Sequence, residues 1–277
     1  MDCTSPVFGI YPCGKCLNCR ARSRQEWVFR LRMEYKSSNF GLFVTLTYSD
    51  EHLPLDGVCK RDIQLFLKRL RKNFNSQALR YFIVSEYGDH TFRPHYHALL
   101  FFNFDRNNDI YDIIEQAWSL GNVQFGEIEE GSIVYCTKYC LKGSIVPPGQ
   151  NENFRLLSKM HGGVGSSYLE FQTDFHDLSS PSLVRYQGDQ APMPRYFREK
   201  MLQKLDEDDR INTRLQYAEN VRIHREKRNE AELLRFKRLH PELNFKQLED
   251  AYYSWKYECH ERKQELVLKR TKKQNLW

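Results

Sequence analysis

Residues 80–103 read Arg80-Tyr81-Phe82-Ile83-Val84-Ser85-Glu86-Tyr87, then Gly88-Asp89-His90-Thr91-Phe92-Arg93-Pro94, then His95-Tyr96-His97-Ala98-Leu99-Leu100-Phe101-Phe102-Asn103. Two runs rich in β-branched and aromatic residues flank a polar connection with a glycine and a proline, which is the pattern of two strands joined as a hairpin. Strands are expected over 80–87 and 95–103. Hairpin strands are antiparallel, so the sheet is expected to be antiparallel at its centre. Working outward, 41–48 (Gly-Leu-Phe-Val-Thr-Leu-Thr-Tyr) and 122–128 read as further strands. Helical periodicity marks 20–38, 60–74, 109–119 and 131–143. In the second of these, Ile63, Phe66, Leu67 and Leu70 form the apolar stripe, and Asp109 is the expected N-cap of the third.

The fold class expected is α+β, a central antiparallel sheet flanked by helices. A Cys-rich segment over 1–20 precedes this core, which runs over 21–143. Residues 144–194 contain Pro147, Pro148, Gly149, Gly162, Gly163, Gly165, Pro181, Pro192 and Pro194 and are expected to be irregular. Residues 195–277 read as a charged helical extension that Pro241 splits into about 195–239 and 244–272.

Composition narrows the class. The chain has 277 residues, 40% hydrophobic and 14% aromatic, enough for a packed core and too much for wholesale disorder. No run approaches a membrane span, and the first residues lack the apolar core of a secretory signal. A membrane partner and export are therefore not expected, and the eight cysteines suit metal binding or burial better than disulfides. The net charge of +6 is unevenly spread: +7 over 1–80, −7 over 81–194 and +6 over 195–277. Cationic ends around an anionic middle suit a polyanion-binding protein with a carboxylate- or metal-based centre.

Three constellations carry chemistry. On a strand, i and i+2 share a face, so His95 and His97 point the same way, and a returning hairpin brings Glu86 beside them. Two imidazoles and a carboxylate suit a divalent cation with positions left open for a phosphate oxygen. Two ordinary strand histidines are the plain alternative. In 131–143, Tyr135, Lys138, Tyr139 and Lys142 share one helical face, and Ile133, Cys136, Cys140 and Leu141 lie opposite, suited to burial. Two phenols flanked by ammonium groups make an anion-facing surface; snorkelling surface residues are the alternative. Finally, Cys13, Cys16 and Cys19, with Cys3 as a fourth, can converge on one ion. Four thiolates suit zinc, an iron–sulfur cluster is the alternative, and an unmetallated thiol-rich terminus is the third reading. Cys59, Cys136, Cys140 and Cys259 read as packing residues. Arg20, Arg22 and Arg24, with Arg30 and Arg32, and the group Lys68, Arg69, Arg71 and Lys72, offer sequence-independent phosphate affinity. The basic tail around Lys269 reads as a solvated helix face.

Phe43-Val44-Thr45-Leu46-Thr47-Tyr48, then His95-Tyr96-His97, then Tyr135-x-x-Lys138-Tyr139, in this order, resemble the three motifs of HUH-type rolling-circle replication endonucleases. The pattern Tyr-x-x-Lys-Tyr-x-x-Lys resembles the replication initiators of microviruses. Cys13-Gly-Lys-Cys16-x-x-Cys19-Arg20, Phe154-Arg-Leu-Leu-Ser158 with Gly163-Val-Gly165, and Pro194-Arg-Tyr-Phe197 resemble the gokushovirus branch. The chain departs from it at Met160-His161-Gly162, where the branch carries Arg or Lys, then Pro-Gly.

The resemblance implies an HUH endonuclease core in which His95, His97 and Glu86 bind Mg²⁺ or Mn²⁺. It implies that Tyr135 and Tyr139 alternate as nucleophiles, with Lys138 and Lys142 binding phosphate or stabilising phenolate, and that Thr45 and Thr47 serve as scaffold or DNA contact. The implied activity nicks one strand of single-stranded or supercoiled phage origin DNA in the host cytoplasm, keeps the 5′ end as a phosphotyrosine, frees a 3′-hydroxyl for synthesis and later rejoins the displaced strand. No GxxxxGK[ST] occurs, so any helicase, like the polymerase, is expected from the host. Two other readings stand beside this one: a non-catalytic zinc-containing DNA-binding protein, and an HUH enzyme of relaxase or transposase type.

Overall fold

A computed structural model describes residues 13–73, 79–107, 109–138, 146–159, 162–171, 178–179, 183–186 and 189–273. The chain divides into two compact units, 1–172 and 173–277.

The first unit is built on a five-stranded antiparallel sheet of β1 (Phe40–Thr47), β2 (Leu79–Tyr87), β3 (Pro94–Phe102), β4 (Val123–Glu127) and β5 (Arg155–Leu157), in the order β4-β1-β3-β2-β5. β2 and β3 form the expected hairpin, in a register that sets Glu86 opposite His95 and Val84 opposite His97. On the other side of β3, Thr45 faces His97 and Thr47 faces His95. Side-chain alternation then assigns the two faces. Val44, Leu46, Ile83, Tyr96, Ala98, Leu100 and Phe102 lie on one. They pack with α2 (Lys60–Asn73), through Ile63, Phe66, Leu67 and Leu70, and with α3 (Ile110–Ala117), through Ile110 and Ile114. Phe82, Val84, Leu99 and Phe101 lie on the other, with Leu31 of α1 (Leu17–Ser37) and Ile133 and Cys136 of α4 (Glu130–Thr137). His95, His97 and Glu86 share this second face.

Polar anchors fix the ends of these elements. Ser132 Oγ accepts from Glu129 N–H at 2.9 Å and donates to Glu129 O at 2.8 Å, which starts α4. Asp109 holds the position before α3, but its side chain makes no capping hydrogen bond, contrary to expectation. The Tyr96 hydroxyl, buried on the α2 side, meets the Tyr48 hydroxyl at 2.8 Å and accepts from Cys59 N–H at 2.7 Å; Tyr48 donates to Asp62 at 2.7 Å. Burial pushes both phenols well above their ordinary pKa.

The stretch 144–194, expected to be irregular, contributes β5 to the sheet, β2 and β5 pairing through Val84 opposite Arg155. It also holds a short helix α5 (Tyr168–Phe171) and the hairpin β6 (Leu183–Tyr186) and β7 (Asp189–Pro192). The glycine-rich turn after β5 is pinned from two sides. Arg30 donates from Nε and Nη2 to Val164 O at 3.0 and 2.9 Å, and Arg80, ion-paired to buried Glu34, donates to Gly163 O. Gly165 has φ 79°, and a Cβ there would meet Arg30 O at 2.7 Å, so only glycine fits.

In the second unit, the expected single helix over 195–239 is two: α6 (Arg195–Leu202) and α7 (Glu207–Leu239). The break falls before Asp206, whose side chain accepts from Asp209 N–H at 2.9 Å and starts α7. Pro241 separates α7 from α8 (Phe245–Lys273) as expected, and Phe236, Leu248 and Tyr252 form the small core between them. No helix among the described residues is long and apolar enough to cross a membrane.

Candidate active site

Hairpin register and strand alternation bring three side chains to one point. The Nε2 atoms of His95 and His97 lie 3.5 and 3.2 Å from Glu86 Oε2. Their Nδ1 atoms are engaged from behind: His95 Nδ1 lies 3.2 Å from Arg93 O, and His97 Nδ1 lies 3.1 Å from Thr45 Oγ1. A carbonyl can only accept, so Arg93 O requires the proton on His95 Nδ1 and leaves the Nε2 lone pair free to bind an ion. Phe43 stacks on the His97 ring, centroids 5.6 Å apart and planes within 15°. Both imidazoles are thus oriented from behind and converge through Nε2 on one carboxylate oxygen.

The fit to a cation can be tested on the donor set. One ligand atom each from Glu86, His95 and His97 lies within 4.8 Å of the others. His97 Nε2 is buried without a well-aligned hydrogen bond, an arrangement that costs free energy in a protein interior and that an ion would relieve. Burial, the dominant cause, lowers the His97 pKa against the opposing pull of Glu86. The ring therefore stays neutral near pH 7, the state that ligates metals. The three residues fit a divalent cation.

α4 adds the fourth group. Ile133 and Cys136 are buried against the sheet, as expected, and this turns Tyr135 toward the site. The Tyr135 hydroxyl donates to Glu86 Oε2 at 2.8 Å, and its ring stands edge-on to His97 with centroids 4.9 Å apart. Lys138 Nζ sits 3.8 Å from the centroid of the Tyr135 ring. Tyr139 and Lys142 lie outside the described residues, as does Cys140. Thr45 acts here through His97, a role that its strand motif alone does not reveal; the register of β1 on β3 is what exposes it.

The Cys-rich segment makes a second cluster. The thiols of Cys13, Cys16 and Cys19 lie within 4.8 Å of one another, and Cys13 Sγ accepts from Lys15 N–H at 3.4 Å and Cys16 N–H at 3.3 Å. Gly14, at φ 71°, permits that turn. This triad could hold a metal ion; Cys3 lies outside the described residues. Not every basic candidate faces solvent for a polyanion. Arg69 donates to Ala117 O at 3.0 Å and ties α2 to α3, Arg30 is spent on Val164 O, and Arg32 pairs with Glu130. Arg22 and Lys68 are exposed, and Arg20 and Arg24 are half-buried.

Comparison with known proteins agrees with this arrangement. A family model described as replication-associated protein ORF2 matches residues 41–144, from β1 past Tyr135. The chain is 31% identical over 214 residues to replication-associated protein VP4 of Bdellovibrio phage phiMH2K, covering 68% of this chain and 66% of that protein. It is 30% identical over 220 residues to replication-associated protein ORF2 of Spiroplasma virus 4, covering 69% and 67%. It is 23% identical over 236 residues to replication-associated protein ORF4 of Chlamydia phage 1, covering 76% and 58%. No solved structure matches the chain. With a relative at 30% identity matched over two thirds of its length and sharing the strand, histidine and tyrosine segments, the chain belongs to the replication-associated protein family of microvirus-type phages.

Proposed function

We propose that this protein is a metal-dependent, tyrosine-nucleophile endonuclease and strand transferase that nicks phage origin DNA to start rolling-circle replication. The observation that carries the reading is the meeting of Tyr135 with the His95, His97 and Glu86 cluster at 2.8 Å. A surface tyrosine in a non-catalytic DNA-binding protein has no reason to seek a buried carboxylate flanked by two imidazoles.

In this reading His95, His97 and Glu86 hold Mg²⁺ or Mn²⁺, which when bound neutralises charge on the scissile phosphate. The chain's own residues do the rest. Glu86 orients the Tyr135 hydroxyl through its hydrogen bond, and Thr45 and Arg93 hold the imidazoles. Lys138, over the phenol ring, favours the anionic oxygen that attack requires. Tyr135 Oη bonds to phosphorus, the bond from phosphorus to the 3′ oxygen breaks, and the proton lost by the phenol ends on that 3′-hydroxyl. The 5′ end remains as a phosphotyrosine. Because this ester keeps the energy of the original bond, a later 3′-hydroxyl can displace the tyrosine and rejoin the strand without ATP. Tyr139 is the second nucleophile, which cuts the regenerated origin while Tyr135 is occupied, and Lys142 assists it.

Cys13, Cys16 and Cys19, with Cys3, hold a structural zinc in the same reading. The protein works in the host cytoplasm on single-stranded or supercoiled origin DNA, with helicase and polymerase from the host. The segments 1–20, 21–143, 144–194 and 195–277 serve as zinc segment, nuclease core, connecting region and helical extension. The test is to incubate the protein with single-stranded origin DNA and Mg²⁺ or Mn²⁺, then run denaturing electrophoresis. A covalent protein–DNA adduct that disappears on chelation is expected. No adduct under any metal condition returns the protein to the DNA-binding class. Elemental analysis should find about one zinc per chain; iron with sulfide would replace zinc by a cluster, and a folded metal-free protein would remove both.

A further inference from the structure

The Phe154-Arg155-Leu156-Leu157-Ser158 segment has no part in the chemistry above, yet its strand reaches the same face of the sheet. Val84 pairs with Arg155 on β5 and with His97 on β3, His97 pairs with Thr45 on β1, and Thr45 pairs with Gln124 on β4. Directly paired residues point to the same side of a sheet. Arg155 therefore stands on the face that carries His95, His97 and Glu86, two strands from His97. At the usual strand spacing the two Cα atoms are about 10 Å apart. Val84, between them, is buried and apolar, whereas Arg155 is exposed.

The neighbourhood of Arg155 is built for a planar cation. Its guanidinium lies 5.3 Å from the centroid of the Trp27 ring, and Trp27 in turn lies 5.3 Å from Phe82, centroid to centroid. Trp27 belongs to a stripe of α1, residues 20, 24, 27 and 31, that recurs at helical spacing. Leu31 is fully buried against this face of the sheet, so the stripe faces it. Glu34 of α1 meets Arg80 at the start of β2, and Trp27 meets Phe82 further along. α1 thus runs against β2, and its N-terminal half, with Arg20 and Arg24 on the stripe, extends toward the Glu86 end. Arg22 lies off the stripe.

We propose that Arg155, seated on Trp27, together with Arg20 and Arg24, forms a phosphate-binding flank that carries single-stranded DNA to the His95, His97 and Glu86 site. A guanidinium matches phosphate with two parallel donors and is weakly hydrated, and an aromatic platform limits the side-chain freedom lost on binding. The substrate class rests on the function proposed above, but the contact is read by binding alone and does not need cleavage.

The experiment is a fluorescence-anisotropy titration of the full chain with a labelled single-stranded origin oligonucleotide across a salt series. Each phosphate contact on a single strand contributes about 0.7 to the slope of log K against log salt. Arg155→Gln should make the slope shallower by about 0.7 and weaken binding about fivefold at 0.1 M salt. Arg155→Lys, which keeps the charge, should keep the slope. Arg24→Gln should also lower it, and Arg22→Gln should not. Thermal melting confirms that each variant is folded; if Arg155→Gln is not, Arg24→Gln against Arg22→Gln decides the matter. An unchanged slope in folded Arg155→Gln, or an equal loss in Arg22→Gln, overturns the assignment and leaves Arg155 as packing for Trp27. Wild-type protein that forms the covalent adduct while Arg155→Gln keeps its slope removes this inference alone. Wild-type protein that binds no single-stranded DNA removes the proposed function with it.

Discussion

Thr45→Val isolates the hydroxyl that holds His97. Valine is β-branched like threonine and nearly its size, so β1 should keep its pairing with β3 and β4. What disappears is the 3.1 Å contact between Thr45 Oγ1 and His97 Nδ1. The His97 side chain is 10% exposed, so water does not readily replace the lost partner. Leaving a buried polar atom unpaired costs about 1–3 kcal/mol. Loss of an outer-shell partner of a metal-bound histidine lowers metal affinity by about 10–100-fold, or roughly 1.4–2.7 kcal/mol at 1.36 kcal/mol per decade, so the two estimates agree. Isothermal titration with Mn²⁺ should therefore show a Kd raised by about 10–100-fold, while adduct formation recovers at saturating Mn²⁺. Thr45→Ser, which keeps the hydroxyl, should bind nearly as wild type. An unchanged Kd in Thr45→Val would show that His97 is not oriented by Thr45, or does not ligate the metal, and the construction of the site would fail at that point.

Three other outcomes follow from described contacts. Gly165→Ala must force a residue with a Cβ into φ 79° and against Arg30 O at 2.7 Å; a stability loss of about 2–5 kcal/mol is expected in urea denaturation, and a change under about 1 kcal/mol would mean the turn is not held as described. The depressed His97 pKa gives the pH dependence a sign. The unfolded chain takes up this proton first, so stability is whole above the ordinary imidazole value of about 6.5 and is lost as pH falls below it toward the folded value; His97→Gln should flatten that limb of a stability–pH curve, and an unaltered limb would assign it to another group. For the tyrosines, Tyr135→Phe and Tyr139→Phe should each leave some adduct, and the double variant none. An adduct in the double variant, seen by gel shift and mapped by peptide sequencing, would place the nucleophile elsewhere.

The central hairpin was legible because its two signals are local. Apolar runs with a polar connection mark the strands, and the His-x-His spacing needs only strand alternation to put two imidazoles on one face. The partner of those imidazoles was legible too, because a hairpin returns Glu86 to His95. β5 was not: it is three residues long, its pairing with Val84 spans about 70 positions of sequence, and the glycines and prolines around it read as irregular. The break before α7 was hidden by the absence of Pro or Gly; only Asp206 marks it, and an aspartate is ordinary in so charged a stretch. Arg30 and Arg69 looked available to a polyanion because sequence cannot show that Val164 O and Ala117 O already hold them. Thr45 was recognised as part of a motif, but its bond to His97 depends on register between β1 and β3, which no local pattern encodes.

The order β4-β1-β3-β2-β5 places both histidines on the strand with two neighbours on either side. Amides of such a strand exchange with solvent only when the whole sheet opens, whereas a short helix resting on its face can release its protons through smaller excursions. Deuterium uptake should accordingly be slowest along Pro94–Phe102 and faster along Glu130–Thr137. The ion-holding atoms then sit in the part of the molecule that reorganises last, and Tyr135 in a part that can shift without disturbing them. A protein that must trade one covalent partner for another gains from that separation: the traffic of strands at the tyrosines need not cost it the geometry of the imidazoles.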